Sequence, residues 1–231
     1  MFLEMWNAIK GTDTDYTPYF LQDGAQPHEA GLAGSVGVTQ SDANIAADSA
    51  SGFVQPYADS PLDGEPVGEN VYMGVVKAAS EYVYFTTPYL IISDEMSREL
   101  CLAAKRGVDV RIVTPGIPDK KLVFRLSRSY YLPLLQAGVR IFEFTPGFLH
   151  AKCWVSDDVT AVVGSINMDY RSLFLHFECG VLLQHSSQVA VLRDDVLATL
   201  PQCREVQVTD CRTSLPGTVL DSVLRLLSPL M

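Results

Sequence analysis

The chain has 231 residues, enough for one large or two small domains, and 48% of them are apolar, which supplies a substantial core. Lysine and arginine number 17 against 27 aspartates and glutamates, and the net charge of -10 repels polyanions, so nucleic acid is not an expected partner. No apolar run approaches the roughly 20 residues that span a bilayer, and the five cysteines, odd in number and without a CxxC pair, read as reduced thiols and not as a disulfide or zinc framework.

In chain order, Phe2, Met5, Trp6 and Ile9 recur at helical spacing, so residues 1–10 read as the end of a helix whose apolar face belongs to a larger unit. Residues 21–52 shift to Gly, Ala, Ser and Asp and read as a flexible linker that carries a solvated His28. After it, helix and strand alternate. The spacing predicts a helix over Glu69–Ser80, a strand over Tyr82–Thr86, and a helix over Asp94–Arg106 closed by Gly107. A strand over Asp109–Val113 follows, then a helix over Lys120–Gln136 that Pro133 kinks or splits, closed by Gly138, and a strand over Arg140–Phe144. This is an α/β layout. From Phe148 to Leu183 the helical period is lost, and strands are predicted over Leu149–Val155, Thr160–Val163 and Phe174–Leu183. The tail predicts helices over Gln188–Leu200 and Leu215–Leu227 around a short strand, Glu205–Val208. The amphipathic end, SVLRLLSPLM, is expected to pack on the body.

The polar residues that carry chemistry gather in the strand-rich stretch. Alternation in a strand puts His150, Lys152 and Trp154 on one face and turns Leu149, Ala151, Cys153 and Val155 into apolar packing. Ser165 and Asn167 follow an Ala161-Val162-Val163 run expected to be buried, and Gly164, which lets the backbone turn tightly or approach a ligand. In the last strand, alternation puts His176, Glu178 and Gly180 on one face, from which Glu178 is expected to reach a ring nitrogen of His150 and fix its tautomer. Cys153 and Cys179, in apolar runs, are expected in the core, and His185 at the surface.

Phosphoryl transfer needs a nucleophile, a proton donor to the leaving oxygen, and donors for the equatorial oxygens. His150 is assigned as nucleophile or general acid, Lys152, Ser165 and Asn167 as oxygen ligands, and Glu178 as orienter; no metal and no cofactor is invoked. Asp157, at a turn, is expected to pin the loop without touching substrate. His176 is expected mainly to pack, and Asp169 and Arg171 to pair locally and shape their turn.

The pattern HxKxxxxDxxxxxxGSxN from His150 to Asn167 resembles the HKD signature of the phospholipase D superfamily. Its continuation Met168-Asp169-Tyr170-Arg171-Ser172 with Phe177-Glu178, and the upstream pieces Gln55-Pro56-Tyr57-Ala58-Asp59-Ser60-Pro61, Thr87-Pro88-Tyr89 and Thr114-Pro115, resemble the C-terminal half of bacterial cardiolipin synthases. The resemblance implies a phospholipase D-like fold, a mixed central sheet flanked by helices on both faces, with one HKD half present. In its terms residues 1–20 are the tail of a truncated first half, 21–52 the linker, and 53–231 the second half. His150, Lys152, Asp157 and Glu178 are its catalytic set, and His150, Lys152, Ser165 and Asn167 its phosphate-binding set.

The implied activity moves a phosphatidyl group between phosphatidylglycerol molecules through a phosphohistidine, without cofactor, at the cytoplasmic face of the cell membrane. Two histidines are required, whereas the chain's histidines stand at 28, 150, 176 and 185 and His150 alone has lysine two residues on. The expected partners are therefore a phospholipid, the membrane surface, and either an N-terminal HKD half or a second copy of this chain. The isolated chain is expected to be soluble or peripheral and to have little activity. Two other readings stand beside this one: a homodimeric phospholipase, phosphodiesterase or nuclease, and a phospholipid-binding fragment without catalysis.

Overall fold

The computed structural model describes residues 52–211 and 215–226. The expected opening helix, the tail assigned to a first half, almost all of the linker, and His28 lie outside the described residues.

The first element is β1 (Phe53–Asp59), followed by α1 (Val67–Ala78), β2 (Tyr82–Thr86) and a two-residue β3 (Leu90–Ile91). Helix α2 (Asp94–Lys105) opens on Ser93, whose side chain accepts the Met96 N–H, and Asp94 and Glu95 in its first turn suit the positive end of the helix dipole. Met96, Leu100 and Ala103 form its buried face, and Gly107 ends it at φ +95°, a conformation that glycine adopts without strain. Strand β4 (Asp109–Pro115) leads into α3 (Lys121–Ser129) and α4 (Tyr131–Ala137). The single helix expected over Lys120–Gln136 is thus two, and the break falls at Tyr130. Pro133 sits in the first turn of α4, where its missing N–H costs nothing.

Strand β5 (Arg140–Phe144) precedes the hairpin of β6 (Cys153–Ser156) and β7 (Thr160–Gly164). Then come β8 (Met168–Asp169), α5 (Tyr170–Phe174), β9 (Glu178–Gln184), α6 (Ser187–Thr199), β10 (Cys203–Glu205) and α7 (Leu215–Leu226). Three strand expectations are corrected here. The segment from Leu149 to Lys152 is outside any strand, because β2, the partner of β6, ends at Thr86 and Pro88 follows, so the ladder closes at Cys153. Phe174 ends a short helix, because the Asp169 carboxylate caps it by accepting the Ser172 N–H at 3.0 Å. The strand expected at Glu205–Val208 lies at Cys203–Glu205, and a 3-10 turn occupies Val208–Cys211.

The large sheet has eight strands in the order β1-β9-β7-β6-β2-β4-β5-β10; β2, β4 and β5 are parallel and the other neighbours antiparallel. One face carries Val83, Phe85, Val110, Ile112, Ile141, Trp154 and Val162 into the main core under α1, α2, α3 and α4. The opposite face packs Tyr84, Cys153, Val155 and Ala161 against Val189 and Val196 of α6. Helices therefore cover both faces, and β6 is buried on both sides. Because β6 runs against β2, its first residues lie at the carboxyl ends of the parallel strands, where open α/β sheets build their sites.

Candidate active site

His150 and Lys152 immediately precede β6, and Ser165 and Asn167 follow β7, so the hairpin brings the four to one end of the sheet. All four line a cavity of about 540 Å³, together with Leu192 and Asp195 of α6. The Lys152 ammonium sits 3.0 Å from both His150 ring nitrogens and donates to the His150 carbonyl oxygen at 2.8 Å. Burial lowers the Lys152 pKa, against the opposing pull of the Glu178 and Asp169 carboxylates. The pair is held together by this contact and not by strand alternation. Trp154, expected beside them, is buried in the main core, Ala151 is exposed, and Leu149 is half-buried.

Close backbone approach fixes Ser165. Its N–H donates to the Cys179 carbonyl oxygen at 2.9 Å and its Oγ accepts the Cys179 N–H at 3.0 Å, so the turn after β7 is laced to β9. A Cβ on Gly164 would collide with the Cys179 carbonyl and stand 2.8 Å from Gly180 Cα; here the glycine is required. Val163, expected in the buried run before it, is exposed, and Cys179, expected in the core, is exposed as well.

Glu178 is buried, but its partners differ from the expected one. Ser165 Oγ and Ser172 Oγ both donate to its carboxylate, the latter at 2.5 Å, and no hydrogen bond joins it to His150 among the described residues. Ser172 Oγ also accepts the Asn167 N–H at 2.9 Å, so Glu178 organises the Ser165–Asn167 turn through two hydroxyls. His176, after α5, approaches Glu178 with Nδ1 3.7 Å from Oε1, and it lines a separate cavity of about 200 Å³ with Asp59 and Glu65. Asp169 is buried and has a raised pKa from burial, opposed by hydrogen bonds from the Ser172 N–H and the Asn167 side chain; no ion pair links it to Arg171 among the described residues. His185 is exposed.

Asp157 stands at the far end of the β6–β7 hairpin and is not part of the cavity wall. With Asp158 it occupies the left-handed region, φ 53° and 56°, which aspartate tolerates in such a turn. Its carboxylate accepts the N–H groups of Ser80, Glu81 and Tyr82 at 2.7, 3.0 and 2.8 Å and the Ser80 hydroxyl at 2.9 Å. Burial works against its charge, but these hydrogen bonds win and hold its carboxyl below the usual aspartate range. Asp157→Ala leaves three N–H groups without their acceptor and should destabilise the fold by about 2 kcal/mol, read as a lower urea midpoint. Since the folded pKa is depressed, this contribution is present above the unfolded value of about 3.9 and is lost as pH falls through the folded one. A variant as stable as the wild type at neutral pH would show that the pinning is energetically idle.

The Phe148 ring stands 5.7 Å from the His150 ring and 6.4 Å from that of Tyr89, and the Tyr89 hydroxyl donates to Asp119 at 2.5 Å. No group of three or more His, Cys, Asp or Glu side chains suited to a metal ion occurs among the described residues. No helix among them is long and apolar enough to cross a membrane. Sequence reasoning missed the α6 wall of the cavity, Leu192 and Asp195, because nothing in a helix sequence says which loop it will face.

Comparisons with known proteins bear on the family and the fold. A family model described as "Cardiolipin synthase, PLD-like domain" matches residues 72–198. An uncharacterized protein of Streptococcus mutans is 44% identical over the whole of this chain, which covers 46% of that protein. A cardiolipin synthase of Geobacillus sp. is 38% identical over 181 residues, covering 78% of this chain and 36% of that one. The chain thus spans less than half the length of these curated relatives. The crystal structure of a phospholipase D family member, Nuc from Salmonella typhimurium, superposes with a TM-score of 0.58 at 18% identity, over 68% of this chain and 99% of that one, and shows the fold.

Proposed function

The chain belongs to the cardiolipin synthase family with a phospholipase D-like domain, and from that premise we propose that it supplies one catalytic half of a phosphatidyltransferase. The observation that carries the reading is the Lys152–His150 contact in a cavity also lined by Ser165 and Asn167. In the proposed reaction a histidine nitrogen attacks the phosphorus of phosphatidylglycerol. A P–N bond forms as the P–O bond to the head-group glycerol breaks, and a second histidine gives its proton to the departing alkoxide. A hydroxyl of another phosphatidylglycerol then attacks, the P–N bond breaks, cardiolipin leaves, and the proton lost by that hydroxyl returns to the second histidine.

His150 is one of the two histidines. Lys152 and Asn167 hold the phosphoryl oxygens, Ser165 joins them by turning its hydroxyl from Glu178 to the substrate, and Glu178 acts on the reaction through Ser165 and Ser172, the hydroxyls it accepts from. The second histidine comes from a complementary half, in a longer protein or in a second copy of the chain. The setting is a membrane surface that holds phosphatidylglycerol, at the cytoplasmic face of the cell membrane.

The test is cardiolipin production in cells that lack other cardiolipin synthases, read by lipid mass spectrometry. The chain is expressed alone and together with the part of the Streptococcus mutans relative that it does not match. Cardiolipin should rise when both are present, and with the chain alone only if two copies of it pair. Absence of cardiolipin with both expressed would sink the transferase reading, and full-rate synthesis by a monomer of this chain would sink the two-histidine reading.

A further inference from the structure

The part of the cavity wall that α6 contributes holds a group that the phosphate chemistry has no use for. Asp195, on α6, lines the same cavity as His150, Lys152, Ser165 and Asn167. Its carboxylate has no ion pair or side-chain hydrogen bond among the described residues; the Thr199 hydroxyl bonds to its backbone carbonyl instead. The nearest arginine in the chain, Arg193, is committed to Asp158 and Asp194. An unpaired carboxylate beside a bound phosphodiester is repulsive unless a hydrogen-bond donor stands between the two.

We propose that Asp195 is the head-group determinant of this site: its carboxylate accepts hydroxyl hydrogens of the glycerol moiety esterified to the phosphate that His150 and Lys152 engage. This rests on the functional reading above and deepens it. A glycerol head group carries hydroxyl donors on the second and third carbons from the phosphoester oxygen, within one cavity lined by His150, Lys152 and Asp195. Choline brings a positive charge but no hydrogen for the carboxylate to accept, so at this exposed position it keeps only a solvent-screened attraction. Ethanolamine brings an ammonium, a donor with charge attached, so a site built on Asp195 accepts it too. The neighbouring wall residue Leu192 offers no polar atom and leaves the recognition to Asp195. The predicted order of head groups is glycerol or ethanolamine above choline.

The experiment uses the full chain and water-soluble head groups, so that its result does not depend on turnover. Binding of glycerophosphoglycerol, glycerophosphocholine and inorganic phosphate is measured by calorimetry for the wild type, Asp195→Asn and Asp195→Leu. The wild type should prefer glycerophosphoglycerol to glycerophosphocholine. Asp195→Leu should lose that preference by about 30-fold, the size of one hydrogen bond to a charged group, while inorganic phosphate binds no more weakly, because a repulsive charge has gone. Asp195→Asn, which keeps an acceptor oxygen, should fall between. A preference that survives in Asp195→Leu, a wild type that shows none, or a parallel loss of phosphate binding would overturn the proposal. Failure of cardiolipin synthesis with the head-group preference intact would instead count against the transferase reading alone. Asp195 is exposed on its helix, so both variants should fold, and unchanged thermal unfolding checks this.

Discussion

His150→Ala should lower cardiolipin formation by the completed enzyme at least about 10⁴-fold, whichever of the two histidine roles the residue takes. As nucleophile it forms the bond that stores the phosphatidyl group; as acid it protonates an alkoxide that otherwise leaves at a prohibitive pKa. Lys152 does not replace it, since the ammonium has no lone pair. The ring is exposed and contributes little to the core, so the variant should keep the wild-type unfolding midpoint. That pairing of outcomes separates chemistry from folding: turnover vanishes and stability does not. Activity within tenfold of wild type would remove His150 from the mechanism. A matching collapse of stability would make the kinetic loss uninformative about chemistry and contradict the exposure of the ring.

Trp154→Ala has the opposite signature, with a large loss of stability, about 4 kcal/mol. Trp154 is 1% exposed and its ring stacks between two others, 3.8 Å from Phe85 at 8° and 4.6 Å from Tyr72 at 20°. Truncation removes both ring contacts and leaves a cavity at the middle of the main core, under α1. The same Tyr72 donates its hydroxyl to the Ile166 carbonyl oxygen at 2.9 Å, inside the turn that carries Ser165 and Asn167. The damage should therefore reach the site: besides a lower urea midpoint, binding of inorganic phosphate should weaken. Trp154→Phe, which keeps a ring between the two neighbours, should recover most of both. Equal urea midpoints for Trp154→Ala and wild type would mean that the stack contributes nothing.

Local pattern made much of this legible. Tyr82–Thr86 and Arg140–Phe144 stand as strands at the predicted bounds, because dense β-branched and aromatic runs between helix ends leave little choice. The three helices α1, α2 and α6 fall within two residues of expectation. The HKD spacing put His150, Lys152, Ser165 and Asn167 together because a hairpin of fixed register lies between them. Strand β1 was invisible: its first four residues are exposed and Pro56 interrupts it, which an edge strand tolerates, and its pairing with β9 depends on residues at the other end of the domain. Glu178 was foreseen as a partner of His150, but its hydroxyl partners follow from the short helix α5 that Asp169 caps, and the predicted strand alternation ran back into the turn that follows this helix at His176. The Asp195 wall belongs to the packing of α6 across the sheet, a tertiary fact with no local trace.

Strand β2 has a parallel neighbour on one side and an antiparallel one on the other. Its position has a consequence for the order in which the molecule is made. The β6–β7 hairpin is local and closes on the microsecond scale, whereas the parallel strands need helical crossovers before their pairing is rewarded. His150 and Lys152 stand just before β6, and their cavity needs that hairpin docked on β2 and α6 laid over it. Closure of the cavity is therefore expected to be a late step of folding, with His150 carried for some time outside its finished surroundings.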